Sequence, residues 1–127
     1  MVNDPAEDLW KAWANGRLCI QNCTKCGSLQ HPPGPVCASC HATTLDLIDI
    51  APAGKLVAWS TVHRAPSPTF ADEVPYTIAI IALDSTTFIE SRISPALVEN
   101  DLETGMTVRL ELGKIAGRAM PVVTGLV

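Results

Sequence analysis

The arrangement of the cysteines constrains this chain more than any other feature of its sequence. All five cysteines lie in the first third of the 127 residues. Four of them form two Cys-x-x-Cys pairs, Cys23 with Cys26 and Cys37 with Cys40, and ten residues separate the pairs. A disulfide framework would spread its cross-links over the whole chain. Two such pairs in one short segment are instead typical of a zinc ribbon, in which four thiolates surround one ion.

Other uses of these cysteines fit the sequence less well. A redox dithiol or a pair of disulfides explains two pairs at this separation poorly in a cytosolic chain. Iron in a rubredoxin-like site would make the protein an electron carrier, but residues 19–41 contain no aromatic side chain. We expect Cys19 to be a small buried hydrophobe and His31 and His41 to stay outside the ligand set. The prediction is one structural Zn²⁺, with Gly27 supplying the positive φ that commonly follows such a pair.

A short amphipathic helix is predicted before the ribbon. Asp4 can cap it, Pro5 suits the first helical position, and Gly16 ends it. One apolar face recurs with helical spacing and carries Trp10 and Trp13. A helix of about eleven residues is not stable alone in water. The face should therefore be buried, either on the chain's own barrel or on a partner protein, where tryptophan is common at hot spots.

The remainder of the chain predicts a small β-barrel. Five segments are rich in β-branched residues and are bounded by Gly, Pro, Asp or Ser; they cover residues 55–63, 76–83, 86–93, 107–112 and 120–126. A flat sheet of this size would leave two unpaired edges and one uncovered face. An OB-type Greek-key barrel pairs most of the edge strands and covers most of that face. Residues 94–101 offer a helical turn between the third and fourth of these strands. At residues 83–87 no glycine is present, but Asp84 and Ser85 can form the turn.

The predicted fold class is accordingly mainly β, with three parts. They are an N-terminal amphipathic helix over 1–17, a rubredoxin-like zinc ribbon over 18–50, and a five-stranded OB-fold barrel over 51–127.

One long loop, residues 64–75, contains three prolines and carries Phe70 in its middle. Loops of about twelve residues are uncommon in compact domains and tend to be functional. Phe70 could equally fold back as a plug over the barrel. His63 and Arg64 stand at the start of the loop, and no nucleophile or carboxylate is visibly paired with His63.

Composition narrows the class of protein. A hydrophobic fraction of 47% with 17% charged residues is enough for a folded core. The formal net charge of −4 makes the chain a poor binder of phosphate backbones, because nonspecific affinity for nucleic acid comes from Lys and Arg. The sequence shows neither a signal peptide nor an apolar run of about 20 residues that could span a membrane. We expect a cytoplasmic protein.

The order of these motifs resembles the zinc-ribbon/OB-fold family of acyl-CoA-associated proteins, formerly a domain of unknown function. The resemblance covers almost the whole chain and lies in Gly16-Arg17-Leu18, Cys23-x-x-Cys26-Gly, His31-Pro32-Pro33, Cys37-x-x-Cys40, Gly54 to Val57, Trp59 to Arg64, Pro75-Tyr76 and Gly105-Met106-x-Val108. It implies a non-catalytic accessory subunit, whose ribbon docks on a catalytic subunit of thiolase-like, hydratase-like or retro-aldolase type and whose barrel helps shape or cover the acyl-CoA site.

The resemblance leaves two other classes of function to be weighed. One is a single-stranded nucleic-acid-binding ribbon/OB protein, which would need a basic groove with stacking rings. The other is a free-standing enzyme, for which the sequence shows no nucleophile and base. On the favoured interpretation no residue is catalytic, and the candidates for contact with a partner or with CoA are Trp10, Trp13, His63, Arg64, Phe70 and Tyr76. Arg64 is the cation that could meet a CoA phosphate.

Overall fold

The computed structural model describes residues 4–65, 67–68, 71–72, 74–97, 101–115 and 117–127. They divide into two compact units, Met1–Ala51 and Pro52–Val127. In these residues the structure has one α-helix and eight β-strands: α1 Pro5–Ala14, β1 Cys19–Cys23, β2 Leu29–Gln30, β3 Leu45–Asp49, β4 Ala53–Val62, β5 Tyr76–Ala82, β6 Phe88–Ile93, β7 Thr107–Ile115 and β8 Arg118–Leu126.

Helix α1 begins and ends as the sequence predicts. The side chain of Asp4 accepts a hydrogen bond from the amide of Ala6 at 3.0 Å, and Pro5 occupies the first turn. Beyond the last helical residue, Gly16 adopts a φ of 83°, which closes the helix at little steric cost. The local capping signals therefore suffice to place this helix.

The first unit is a three-stranded antiparallel sheet in the order β2-β1-β3, with α1 packed on β1. Leu9 and Trp13 of the helix are buried, as are Cys19 and Ile20 of β1. The indole Nε1 of Trp13 donates a hydrogen bond to the backbone oxygen of Cys19 at 2.9 Å. The inner part of the apolar helix face is thus buried within the ribbon unit. The sequence predicts burial of this face on the barrel or on a partner protein, whereas the structure buries its inner part on β1.

The second unit is a closed barrel with strand order β4-β5-β6-β8-β7, in which β7 also pairs with β4. All neighbours are antiparallel except β6 and β8, which run parallel. This is the strand order of a five-stranded Greek-key barrel of the OB type and confirms the predicted fold class. Its buried core is aliphatic and includes Leu56, Ala79, Ile81, Ile89, Val108, Leu110 and Val123.

The observed strand limits differ most from the predicted ones in the hairpin that β7 and β8 form. The predicted fourth strand ends at residue 112, whereas β7 continues to Ile115, which pairs with Arg118. Gly113 lies inside this extension opposite Met120. A Cβ at Gly113 would lie 3.0 Å from Cγ2 of Val122, so this glycine fits a crowded strand position and does not begin a turn.

Two positions in the barrel depend on close local contacts. Gly54 lies inside β4, where a Cβ would collide with Cγ2 of Ile81 on β5, so only glycine fits there. Between β5 and β6, Oδ1 of Asp84 accepts hydrogen bonds from the amides of Thr86 and Thr87 at 2.9 and 2.7 Å. Asp84 therefore forms the predicted turn without glycine. Of the predicted helical turn after β6, the structure shows a hydrogen bond from Leu97 N to Ser94 O at 3.0 Å, and residues 98–100 lie outside the described part.

Candidate metal centre

The four paired cysteines lie together at one end of the ribbon sheet. Their Sγ atoms are all within 4.8 Å of one another. Cys23 and Cys40 are 3.5 Å apart between sulfurs, and Cys26 and Cys37 are 3.6 Å apart. A tetrahedral site with Zn–S bonds of about 2.3 Å separates its sulfurs by about 3.8 Å. The donor set and its spacing therefore fit one Zn²⁺ held by four thiolates.

The two Cys-x-x-Cys pairs are positioned by the same backbone turn, used twice. In each pair, the first cysteine donates its N–H to the carbonyl five residues later and accepts at its own carbonyl from the N–H four residues later. The donor–acceptor distances are 2.9 Å for Cys23 to Ser28, 2.9 Å for Gly27 to Cys23, 2.8 Å for Cys37 to Ala42 and 2.9 Å for His41 to Cys37. This repeated turn directs both sulfurs of a pair to one side.

The residue after each pair adopts a left-handed backbone conformation. Gly27 has a φ of 78°, as the sequence predicts, and His41 has a φ of 63° in the equivalent place. A non-glycine residue rarely adopts such a φ, so His41 is held there by its turn. His31 is half-buried, with its ring centroid 6.1 Å from that of Trp13. Neither histidine belongs to the four-cysteine cluster.

Backbone amides lie close to two of the four sulfurs, and the thiol pKa values differ within the cluster: that of Cys40 is raised to about 11, with burial and the three neighbouring cysteines as the raising causes, whereas those of Cys23 and Cys26 are lowered. The amide of Cys26 lies 3.5 Å from Sγ of Cys23, and the amides of Ser39 and Cys40 lie 3.4 and 3.5 Å from Sγ of Cys37. The hydrogen bond from Cys26 lowers the pKa of Cys23. Hydrogen bonds of Ser28, whose Oγ is 3.3 Å from the sulfur, lower the pKa of Cys26 to about 6. Thiolates are the form that binds a metal.

The fifth cysteine has a different environment. Cys19 is fully buried on β1, and burial raises the pKa of its thiol. It lies outside the cluster of four and packs beside Trp13, whose indole bonds its carbonyl. Cys19 is therefore a small core residue, as the sequence predicts.

A pair of glutamines orders the segment that leads to the second cysteine pair, and the sequence does not predict the role of either. Gln21 is 6% exposed and makes two hydrogen bonds of 2.9 Å with the backbone of Gly34, one to its carbonyl and one from its amide. Gln30 accepts from the amide of Ala38 at 2.7 Å and donates to the carbonyl of Val36 at 3.1 Å. The one signal in the sequence was the pair of polar residues in adjacent strands, and it does not by itself indicate burial.

The candidate contact residues are spread over the two units. In the first unit, Trp10 is 38% exposed, whereas Trp13 is only 4% exposed because the chain already covers its ring. In the second unit, His63 and Arg64 are exposed at the end of β4. The prediction for Phe70 falls outside the described residues.

The remaining candidate, Tyr76, is half-buried at the start of β5. The guanidinium carbon of Arg92 lies 3.6 Å from the centroid of its ring. Both residues line a cavity of about 300 Å³ at one end of the barrel, together with the apolar Ile93, Leu102 and Ile115. Tyr76 thus contacts the guanidinium of Arg92 and also lines the apolar cavity.

In the part of the chain that the structure describes, no helix is both long and apolar enough to cross a membrane.

Comparison with protein families matches both units. The model of the ChsH2 rubredoxin-like zinc ribbon domain covers residues 10–46, and that of the ChsH2 C-terminal OB-fold domain covers residues 48–113. The chain belongs to the ChsH2 family. The family's ribbon domain includes all four cysteines of the cluster, so the site is a zinc-ribbon site.

Two relatives of known description resemble this ChsH2-family chain. It is 34% identical over 95 residues to a probable enoyl-CoA hydratase alpha subunit of Thermomonospora curvata, and 27% identical over 89 residues to a DUF35 domain-containing scaffold protein of Pyrococcus furiosus. The matches cover 75% and 70% of this chain but only 29% and 64% of those relatives. The chain therefore spans less than two thirds of either.

Two solved structures share the fold along almost the whole chain. The structure described as an Ltp2-ChsH2(DUF35) aldolase aligns with a TM-score of 0.79 at 30% identity, covering 95% of this chain and 94% of that chain. A DUF35-family protein of unknown function from Sulfolobus solfataricus aligns with a TM-score of 0.61 at 14% identity, covering 96% and 87%. The second likeness is one of fold alone.

Proposed function

We propose that this protein is a zinc-stabilised, non-catalytic accessory subunit of an enzyme that acts on acyl-CoA, and that it binds a separate catalytic subunit of thiolase, aldolase or hydratase type. The observation that carries the proposal is the completed set of four sulfurs in the ribbon. Four protein ligands fill every position of a tetrahedral zinc site, which leaves none for water or substrate. The ion therefore stabilises the fold.

The relatives support the choice of partner. One is described as a hydratase alpha subunit, one as a scaffold protein, and the solved structure with 30% identity as an aldolase that contains Ltp2 and ChsH2. These descriptions name a subunit of an enoyl-CoA enzyme, a scaffold, and an aldolase that includes a ChsH2 chain. We extend that association to this chain.

The chemistry of the cysteines supports a non-catalytic role. A nucleophilic cysteine needs a lowered pKa and access to substrate. Cys19 has neither, since burial raises its pKa and it is 0% exposed. The other four are consumed by the metal site. The reacting groups would then belong to the catalytic subunit, and this chain would act through binding.

The nucleic-acid alternative has less support. The chain carries 13 acidic residues against 9 Lys and Arg, whereas binders of single strands use a basic groove. The family match concerns ChsH2 domains. We therefore do not adopt the alternative.

The candidate contacts remain predictions within this proposal. Trp10, His63 and Arg64 expose enough surface to meet a partner, and Tyr76 lines the barrel cavity. Trp13 is not retained as a contact, because its ring is covered by its own unit. We also place the protein in the cytoplasm, where thiols stay reduced and available to a metal.

The proposal is tested by co-expressing the chain with its cognate thiolase-like, aldolase-like or hydratase-like subunit and separating the products by size-exclusion chromatography. We expect one hetero-oligomer that turns over acyl-CoA, and no turnover by this chain alone. Separate elution at micromolar concentration, or full activity of the catalytic protein without this chain, would contradict the proposal.

A further inference from the structure

The four cysteines of the metal centre differ in how far solvent reaches them. Cys23 and Cys37, the first cysteine of each pair, are each 1% exposed. Cys40 is half-buried, and Cys26 is exposed. One side of the metal centre therefore lies at the surface of the ribbon unit, and Cys26 is the ligand at that surface.

The two cysteine pairs also differ in one polar group beside the second cysteine. The same backbone hydrogen bonds close both pairs, so Cys26 and Cys40 occupy equivalent places in the turn. Ser28 and Ala42, which follow them by two residues, are equivalent as well. Oγ of Ser28 lies 3.3 Å from Sγ of Cys26, whereas Ala42 has no hydroxyl to place beside Cys40.

The direction of this hydrogen bond follows from the chemistry of a metal ligand. A cysteine binds zinc as the thiolate, which has no proton and can only accept a hydrogen bond. In the zinc-bound ribbon the hydroxyl of Ser28 is therefore the donor and Sγ of Cys26 is the acceptor. Hydrogen bonds to a charged acceptor are stronger than those between neutral groups.

The two buried sulfurs accept from backbone amides. Sγ of Cys23 is 3.5 Å from the amide of Cys26, and Sγ of Cys37 is 3.4 Å from the amide of Ser39. No change of side chain removes an amide from either sulfur, and burial keeps dissolved reagents away from both. The environment of these sulfurs is therefore set by the fold, whereas that of Cys26 includes a side-chain hydroxyl that a substitution can remove.

Exposure and hydrogen bonding act in opposite directions on the reactivity of a thiolate. A thiolate attacks a soft electrophile through a lone pair of the sulfur, so the reagent must be able to reach that atom. A hydrogen bond to the same sulfur stabilises the unreacted thiolate and so raises the barrier to attack. At Cys26 the access is present, and Ser28 supplies the hydrogen bond.

We propose that Cys26 is a modification site, the ligand at which soft electrophiles of the α,β-unsaturated carbonyl class attack the zinc ribbon, and that the hydroxyl of Ser28 slows this attack. The lone pair of Sγ forms an S–C bond with the β-carbon, and the bond between Sγ and the metal breaks. The α-carbon takes a proton from water, which leaves hydroxide, and no oxidant or reductant is consumed.

Addition at Cys26 removes one of the four thiolates that hold the ion. Because metal binding and ribbon folding are coupled, the modified ribbon loses zinc and with it its stability. The inference concerns the ribbon unit alone and applies to the free chain. Its failure and the failure of the proposed accessory function are therefore separate results.

The test treats the zinc-loaded chain with less than one equivalent of N-ethylmaleimide, a small electrophile of this class. The reaction is stopped early, and mass spectrometry of peptides from chains with a single adduct locates the label. A chromophoric chelator follows zinc release in the same sample. We expect most single adducts on Cys26, and zinc release at the rate at which that label appears.

Two distributions of the label would overturn the inference. An even spread over the four ligands, or a first adduct on Cys23, Cys37 or Cys40, would show that exposure at Cys26 does not direct the attack. Cys19 is 0% exposed and lies outside the cluster, so it reports on unfolding. A first adduct there would mean that the reagent attacks unfolded chains.

Three substitutions test the role of the hydroxyl. Ser28→Ala removes it, Ser28→Thr keeps it, and Ala42→Ser adds a hydroxyl at the equivalent place in the other pair. We expect Ser28→Ala to speed the labelling of Cys26 by about threefold to tenfold, as loss of a hydrogen bond to a charged group should. Ser28→Thr and Ala42→Ser should stay within about twofold of the wild type. An unchanged rate in Ser28→Ala, or equal acceleration in all three variants, would overturn the role of Ser28.

Replacement of zinc by Co²⁺ tests the same hydrogen bond without a reagent. Groups that hydrogen-bond to a metal ligand tune the metal, so loss of the hydroxyl should shift the sulfur-to-cobalt charge-transfer absorption. We expect a shift in Ser28→Ala and none in Ser28→Thr. Identical spectra for the wild type and Ser28→Ala would show that Ser28 does not contact the metal-bound sulfur. If Ser28→Ala binds no metal, the location of the first adduct in the wild type still decides for or against the modification site.

Discussion

Gln21 and Gln30 lie opposite each other on β1 and β2, and Nε2 of Gln30 donates a hydrogen bond to Oε1 of Gln21 at 2.9 Å. Through this pair, the sheet holds the backbone of residues 34–38, which ends in the second cysteine pair. The two amides therefore connect the formation of the sheet to the geometry of the metal site.

Replacing Gln21 with alanine should weaken zinc binding. The substitution removes two hydrogen bonds to the backbone of Gly34 and one from the side chain of Gln30. Each lost hydrogen bond of this kind costs about 1 kcal/mol. Because metal binding and ribbon folding are coupled, we expect zinc affinity to fall roughly 10- to 100-fold. Competition with a chromophoric chelator measures it. Gln21→Glu keeps the acceptor but puts a carboxylate oxygen against the carbonyl of Gly34 in a buried position, so it should bind zinc no better than Gln21→Ala; equal affinity of all three proteins would contradict the role of this pair.

The two tryptophans of α1 should differ in their effect on stability. Trp13→Ala removes a buried ring and the donor to Cys19, and should lower the free energy of unfolding of the ribbon unit by about 3–5 kcal/mol. Trp10→Ala, at 38% exposure, should cost less than about 1 kcal/mol. Urea unfolding followed by circular dichroism measures both. Similar losses of unfolding free energy in the two variants would show that the helix does not bury Trp13 in preference to Trp10.

The turn at Asp84 predicts a pH dependence in the barrel. Hydrogen bonds from Thr86, and then from Thr87, lower the pKa of Asp84 below its usual 3.8. The ionised carboxylate is thus favoured in the folded state. This stabilisation is present above pH 4 and is lost as the pH falls through the folded-state pKa. Asp84→Ala should lower barrel stability by about 1 kcal/mol at neutral pH.

Amide hydrogen exchange of barrel residues at pH 7 and at pH 3 measures this effect separately from the ribbon. Asp84→Asn serves as the control, because it keeps the oxygen acceptor but cannot titrate. We expect the advantage of the wild type over Asp84→Asn to shrink as the pH is lowered. A constant or growing advantage would show that the carboxylate does not contribute in its ionised form.

Removal of one zinc ligand should affect the two units differently. In Cys40→Ser the ribbon loses its metal and should unfold, since a segment of about 30 residues has too small a core without it. The barrel has its own closed hydrogen-bond network and aliphatic core. In a two-dimensional NMR spectrum, dispersed peaks from residues 52–127 should persist while those of the ribbon collapse. Loss of both sets would show that the barrel depends on the metal.

The sequence predicts the parts of this structure that depend on local chemistry. Two Cys-x-x-Cys pairs indicate the metal site because the ligand spacing is itself the requirement. The β-branched runs locate all five barrel strands, and their topology follows from the need to close sheet edges. The carboxylate of Asp84 forms its turn as expected.

The features that the sequence did not predict depend on contacts between distant residues. Burial of Trp13 on β1 and of Gln21 beneath Gly34 follows from which surfaces the fold brings together. Gly113 resembles a turn signal, yet the neighbouring Val122 makes it a strand residue.

Native mass spectrometry of the co-expressed pair tests the central claim most directly, because one spectrum reports both the assembly and its metal. We predict a hetero-oligomer of this chain and its catalytic subunit, with one Zn²⁺ bound for each copy of this chain. Separate masses for the two proteins, or an assembled chain without zinc, would contradict the account of a zinc-stabilised accessory subunit.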